Sequence, residues 1–393
     1  MSVYILSAKR TALGKFKGSL SQIPATKLGS LTIKSILKEQ KDKIHPKDIG
    51  ECIVGQVLTA GSGQAPARQT ALGADLESST HCLTINKVCG SGLKAVQMAS
   101  DSIELNRSHL ALAGGQENMS LAPHILKNSR LGMIHLGDCF LTDSLLEDGL
   151  INPFDHKHMG YLAELCVKKY CLSKGQQDHF AKQSFKKALQ AQGKGAFKNE
   201  ITPIFLKTKK EEIIFNQDEQ VCQKDLDRID TARAVFKKEG SITAGNASKI
   251  NDGASFLLLA SEKIVKEKKL KPIARILGQS VFAHDPHWFT TAPIHSIRKL
   301  LKSTGLKVED VDLFEVNEAF SAVALAIAQE IPIPLEKLNV HGGAVALGHP
   351  IGASGARILT TLLHALKTHS KKIGLASICL GGGEACSLAV ERL

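Results

Sequence analysis

Apolar and polar positions along the chain run through one pattern twice. Leu28 to Gln56 reads as an amphipathic helix, an acidic cap and an apolar strand, and His295 to Asn317 repeats that series. Downstream, the helical spacing of G-L-K-A-V-Q-M-A-S leads to a strand at His109–Ala113 and then Gly114-Gly115. In the same way G-A-R-I-L-T-T-L-L leads to a strand at Ile373–Ile378 and then Gly381-Gly382. Ile49 matches Val311 and Gly92 matches Gly355, offsets of 311 − 49 = 262 and 355 − 92 = 263. Isolated elements align by chance, but two elements keeping one offset mark a single βα-rich unit used twice. Strands alternating with helices predict an α/β fold of layered halves, each a sheet covered by helices, with the functional site where the halves meet. Between the copies, 121–247 breaks the pattern with short elements, many Lys and Gln, and loops such as Gly193–Gly195. It reads as a substrate-binding insertion, in which Gln176–Gln192 has the spacing of a packed surface helix.

The chemistry concentrates at the ends of two predicted strands. Cys89 lies in N-K-V-C-G-S-G, between the apolar run Cys82–Ile85 and a helix carrying Leu93, Val96, Gln97 and Ser100. A thiol on such a strand-to-helix elbow faces the free N–H groups of a helix start, which favour thiolate. The small residues at 90, 91 and 92 let a large substrate or another backbone approach the sulfur. Taken alone, a free cysteine is more often core packing than nucleophile. Cys379 ends the second strand and opens C-L-G-G-G, whose bare amides at Gly381 to Gly383 suit a developing oxyanion. Asn317 and Glu318 of N-E-A-F, and His349 held between Gly348 and Pro350, complete the candidate constellation.

Composition narrows the class. At 393 residues and 43% hydrophobic content the chain is long enough for two or three domains. No apolar run approaches the ~18 residues of a membrane span, and M-S-V-Y-I-L-S-A-K-R starts as a strand rather than a signal peptide. Nine cysteines without a C-x-x-C pair fit a reducing compartment, with cytoplasm the expectation. The formal charge of +12 could favour a polyanion, but one Trp and 5% aromatics offer little stacking platform for bases, so no nucleic-acid partner is expected. No dinucleotide fingerprint, phosphate loop or H-E-x-x-H occurs, and Cys and His spacing suggests no metal site.

Five motifs in order, A-K-R-T-A-L-G-K-F at Ala8–Phe16, the Cys89 elbow, A-G-G-Q-E-N-M-S at Ala113–Ser120, T-A-G-N-A-S-K-I-N-D-G-A at Thr243–Ala254 and C-x-G-G-G at Cys379, resemble the thiolase family over nearly the whole chain. The length and the stretch Leu121–Met159, with D-G-L and H-M-G, look like its biosynthetic, acetoacetyl-CoA-forming branch. The resemblance implies a thiolase-like αβαβα fold. Its halves would be 1–120, completed by 248–270, and 271–393, with 121–247 an inserted loop domain for CoA binding and oligomerisation.

The resemblance also implies roles. Cys89 is the acylated nucleophile, His349 its base, Cys379 the acid/base at the substrate α-carbon, and Asn317 and Gly381 oxyanion-hole groups. His158, Met159, Phe236, Ala244, Ser248, Phe289, Ala319 and Phe320 are expected to contact acyl-CoA, which is substrate and product, so that no cofactor is required. A homotetramer built from two dimers is implied, with Leu126–Leu141 as the loop joining them and the Cys82–Cys89 region at the dimer contact. The chain departs from the family pattern at Cys222, where an Arg usually packs on adenine, and at Tyr161, Leu162, Phe289, Thr290, Ala292, His341, Glu384 and Ala385. Two other readings remain: a degradative 3-ketoacyl-CoA thiolase of longer chains, and a non-catalytic acyl-CoA-binding protein of the same fold.

Overall fold

The duplication reappears as two half-sheets of one strand order. The computed structural model describes residues 2–132, 136–207 and 211–393. The first half-sheet holds β1 (Val3–Thr11), β2 (Glu51–Gly55), β3 (His81–Ile85), β4 (Leu110–Asn118) and β5 (Asn251–Ser261). The second holds β6 (Ala274–Ala283), β7 (Leu313–Val316), β8 (Ile373–Leu380) and β9 (Glu384–Arg392). The path runs β7-β8-β9-β6-β1-β5-β4-β2-β3, and the half-sheets join at the β1/β6 pairing Tyr4↔Arg275 and Ile5↔Ala274. Pairing sense repeats as well: β1/β5 and β5/β4 are antiparallel and β4/β2 parallel, as are β6/β9, β9/β8 and β8/β7 in turn. β4 reaches past the predicted end at Ala113 through both glycines to Asn118, because all nine of its positions are buried and each finds a ladder partner on β5.

Seven helices matter for the site: α1 (Ala25–Gln40), α2 (Ser91–Glu104), α3 (Met159–Lys169), α4 (Lys174–Gly193), α5 (Ala292–Thr304), α6 (Ser321–Glu330) and α7 (Ile351–Thr368). α2 and α7 lie between the half-sheets, where Leu93, Val96, Ile358 and Leu362 share one core with Ile5, Ile53, Leu257, Ala376 and Leu388. α1 covers the outer face of the first half-sheet, and α5 and α6 that of the second. The result is five layers. β5 reads as an unbroken apolar run because Phe256, Leu258 and Ala260 fill the outer core while Leu257 and Leu259 fill the central one. Each of these Leu and Phe side chains, when fully buried, contributes about 1.5–3 kcal/mol.

The two glycines matched by the repeat meet at the centre. A Cβ on Gly355 would stand 2.4 Å from the Leu93 amide nitrogen, and one on Gly92 2.9 Å from that of Ala356. Only glycine lets α2 and α7 approach backbone to backbone, and that approach brings the Cys89 elbow beside His349 at the start of α7.

The helix expected at Gln176–Gln192 spans Lys174–Gly193 and is more than surface packing. Phe185 is buried, and Ser184 reaches the N-E-A-F loop. The expected tetramer loop includes Met133, Ile134 and His135, which lie outside the described residues. On either side of them Leu131, Leu136 and Phe140 are 71%, 101% and 85% exposed. Among the described residues no helix is long and apolar enough to cross a membrane.

Candidate active site

The elbow is held in a strained turn by its own polar side chains. Val88, β-branched, has φ +46°, a left-handed conformation that costs about 1–3 kcal/mol. Asn86 Oδ1 accepts the Val88 N–H at 2.9 Å, and Ser91 Oγ accepts the Lys87 N–H at 2.8 Å while donating to the Val88 carbonyl at 2.6 Å. Gly90 is required on the far side, since a Cβ there would lie 2.4 Å from Leu380 Cδ2. Cys89 is thereby set against the end of β8. The amides of Gly381 and of Cys89 itself donate toward its sulfur, yet burial dominates and pushes the thiol up to about 12. The thiolate expected from the helix start is therefore not the resting state, and the sulfur needs a base.

His349 is built to be that base. Gly348, at φ +117°, admits the turn because a Cβ would strike the Asn251 side chain at 2.4 Å, and Asn251 Oδ1 accepts the His349 N–H at 3.1 Å. Ser354 Oγ donates to the Pro350 carbonyl at 2.8 Å, so toward His349 Nδ1, 2.6 Å away, it acts as acceptor. The proton of the neutral ring then sits on Nδ1 and leaves Nε2 unprotonated, an acceptor. Burial, with Arg357 adding to it, pushes the imidazole down to about 3, so it is neutral across the physiological range.

Asn317 is buried beside His349, its Nδ2 3.5 Å from Nε2, and its Oδ1 has no partner among the described residues. Among the described residues Glu318 forms no ion pair. Its carboxylate accepts from Ser184 Oγ at 2.8 Å, Asn339 Nδ2 at 2.7 Å and the Val345 N–H at 3.1 Å, tying α4, the end of β7 and the segment before His349 together. Cys379, at the end of β8, is fully buried, and desolvation together with the neighbouring Cys89 sulfur raises its pKa strongly.

A cavity of about 560 Å³ opens on these groups. Cys89, His349, Cys379, Gly381, His158, Met159, Phe236, Ala244, Ser248, Phe289, Ala319 and Phe320 all line it; Asn317 alone of the expected residues does not. One wall is aromatic. His158 stacks on Phe236 at 4.6 Å, and Phe320 meets Phe236 and Phe289 edge-on at 6.1 and 6.4 Å. His158 also caps α3, its Nδ1 accepting the Gly160 N–H at 3.0 Å, which leaves its Nε2–H free.

Several lining residues escaped the sequence reading although the motifs contained them. Lys15 and Phe16 end the first motif, and Lys249 lies in the T-A-G-N-A-S-K segment; burial lowers Lys249 to about 8. Glu117, from A-G-G-Q-E-N, is fully buried and accepts the Val57, Leu58 and Gly352 amides at 3.0, 3.2 and 2.9 Å. It fastens the start of α7 to the first half-sheet, and burial raises it to about 7. Its signal was a lone acid at the end of a buried strand. Among the departures, Glu384 pairs with Lys87 and links the triple-glycine turn to the elbow. Tyr161 points outward under Lys157, Leu162 fills core, and Cys222 stands off the cavity, its sulfur 3.3 Å from Asp225.

The thiolase N-terminal domain family matches residues 3–263, and the thiolase C-terminal domain family residues 270–392. The chain belongs to the thiolase family. An acetyl-CoA acetyltransferase of Chromobacterium violaceum is 46% identical over 394 residues, covering 100% of both proteins. One of Schizosaccharomyces pombe is 44% identical, covering 100% of this chain and 99% of the relative. Among solved structures, the acetyl-CoA acetyltransferase of Bacillus anthracis superposes with a TM-score of 0.96 at 37% identity, covering 100% of this chain and 99% of that one. A thiolase of Ascaris suum in complex with coenzyme A gives 0.94 at 40% identity, with 100% of each chain covered. As a thiolase the chain is an acyltransferase.

Proposed function

We propose that this thiolase is an acetyl-CoA C-acetyltransferase that joins two acetyl-CoA into acetoacetyl-CoA and CoA, and runs the reverse thiolysis, through an acetyl group on Cys89. The observation that carries this reading is one cavity holding two thiols, a neutral imidazole with an unprotonated Nε2 and the Gly381 amide. His349 Nε2 takes the Cys89 proton as the sulfur attacks the acetyl thioester. The Cys89 and Gly381 amides, which lie against that sulfur, receive the developing oxyanion. As the bond to CoA breaks, the leaving sulfur takes the Cys379 proton, leaving acetyl-Cys89, imidazolium and the Cys379 thiolate. That thiolate removes an α-proton from the second acetyl-CoA, and the carbanion attacks the acetyl carbon. The Cys89 sulfur leaves and recovers its proton from His349. Two acetyl-CoA in and acetoacetyl-CoA plus CoA out balance with no electron carrier.

Asn317, whose Nδ2 lies 3.5 Å from His349 Nε2 and whose Oδ1 has no partner among the described residues, is suited to hold a water that completes a second oxyanion site for the enolate. Lys15 and Lys249 supply positive charge on the cavity wall, and His158, Ala244 and Ser248 are read as contacts of the pantetheine arm and phosphates. The aromatic wall at Phe236, Phe289 and Phe320 closes the space beyond a short acyl group, which favours C4 over longer ketoacyl chains. We read 121–247 as the loop domain between the halves, a cytoplasmic location, and a homotetramer. β3, an edge strand with Leu83 43% exposed, would form the dimer, and the apolar loop around Leu136 and Phe140 the weaker contact between dimers.

Intact-mass analysis with acetyl-CoA tests the mechanism. Cys89→Ala takes up no acetyl group, whereas Cys379→Ala is acetylated but does not condense. Normal condensation by Cys379→Ala sinks the two-thiol scheme. Thiolysis of C4 to C10 ketoacyl-CoA decides chain length, and efficient C10 turnover overturns the short pocket.

A further inference from the structure

Two cavity walls outside the catalytic groups are joined by a single imidazole. One wall is the segment carrying Leu150, His158 and Met159; the other is the turn Pro286–Thr291, which carries Phe289. Within the first, residues 152–157 fold into a compact loop. The Asn152 N–H donates to the Lys157 carbonyl at 2.8 Å, the His156 N–H donates to the Asn152 carbonyl at 2.9 Å, and the Ile151↔His158 bridge closes its base. Asp155 sits on this loop, accepting from Asn152 Nδ2 at 2.6 Å, with Lys157 Nζ 3.2 Å away. Asp285 caps the second turn through the His287 N–H at 2.9 Å. His287 then spans the gap, with Nδ1 2.8 Å from Asp285 and Nε2 3.1 Å from Asp155.

Both partners are acceptors, and a neutral imidazole has one N–H, so the two bonds together require the imidazolium. The turn is also seated on the triple glycine, where the His284 N–H donates to the Gly383 carbonyl at 3.0 Å. The charged or titratable groups facing the bridge are Asp285, Asp155, Lys157 on Asp155 and His284 near Asp285.

We propose that His287 is a positioning residue whose imidazolium straps the 152–157 loop to the Phe289 turn and so holds the acyl pocket in its binding shape. The inference rests on the thiolase reading above. The two carboxylates raise the His287 pKa above its ordinary 6.5. A raised folded value means that the strap is complete below 6.5 and is lost as pH rises through that higher value. Acyl-CoA binding therefore weakens at alkaline pH while the chemistry of the two thiols is left in place.

Trp288, the one tryptophan of the chain, adjoins the strap and reports it without turnover. Emission of the full chain titrated from about pH 5.5 to 9 is expected to show a transition centred above the ordinary His value. That transition should be absent in His287→Gln and displaced in Asp155→Asn. In thiolysis of acetoacetyl-CoA, the KM of His287→Gln relative to wild type should be roughly 2- to 5-fold at pH 6, the scale of an exposed ion pair, and approach unity near pH 9. Equal KM ratios at both pH values, or a tryptophan transition that persists in His287→Gln, overturns the strap. Absence of any thiolysis by the wild type would instead defeat the functional reading, and the fluorescence titration then decides the strap alone.

Discussion

Ser354→Ala isolates the orientation of the base from its presence. Ser354 does not line the cavity; it acts through His349 Nδ1 at 2.6 Å and is itself anchored on the Pro350 carbonyl at 2.8 Å. Removing the hydroxyl leaves a buried ring N–H without an acceptor, at a cost of about 1–3 kcal/mol. It also frees the ring to place its proton on Nε2, where it can no longer take the Cys89 proton. The bond matters more once the ring is cationic, because a charged donor roughly doubles its strength. The loss therefore falls on the charge-separated state in which Cys89 is thiolate, and at about 1.4 kcal/mol per tenfold it amounts to roughly 10- to 100-fold in rate. Single-turnover acetylation of Cys89 by acetyl-CoA, followed by intact mass, measures this directly. KM for acetoacetyl-CoA should stay within roughly threefold, since no group in the cavity is removed. Acetylation by Ser354→Ala within twofold of wild type, in a folded protein, would refute the tautomer assignment and the role built on it.

Gly355→Ala should destabilise by about 1–3 kcal/mol or more despite the better helix propensity of alanine, because its Cβ meets the Leu93 backbone at 2.4 Å; thermal unfolding at matched protein concentration measures it. Glu117, raised to about 7 from 4.5, binds its proton more tightly folded than unfolded, so it subtracts stability as pH rises from 4.5 to 7. The difference in unfolding temperature between Glu117→Gln and wild type should shift in favour of the variant over that window, and a flat difference contradicts the assignment. Cys222→Arg, restoring a cation near the insertion, should lower the KM for CoA by up to ~10-fold if it stacks on the adenine; an unchanged KM removes Cys222 from the CoA site.

Much of the layered fold was legible because periodicity is local. The strand before Cys89, the helix after it and the paired run ending at Cys379 follow from short apolar runs and helical spacing, and the repeat offset tied them into halves before any contact was known. Reading β4 as ending at Ala113 failed because Gly114 and Gly115 carry no hydrophobic signal. They stay in the strand only because β5 supplies the ladder and because a Cβ there would strike Ser255 or Gly352. The helix at Lys174–Gly193 was found, but its contact with the N-E-A-F loop, Ser184 on Glu318, depends on a residue 134 positions away.

The sequence by itself determined which groups could do the chemistry: two thiols after strands, a histidine between glycine and proline, an Asn-Glu pair and glycines that clear space around them. Tertiary structure decided their state. Cys89 at a helix start reads as a thiolate, but its burial against the end of β8 desolvates the charge and raises it to about 12. The same burial keeps His349 neutral, and Ser354 one turn along α7 chooses its tautomer. Charge stabilisation depends on everything within a few ångströms, whatever its place in the chain, and so it appears only once Gly92 and Gly355 have brought the two halves into contact.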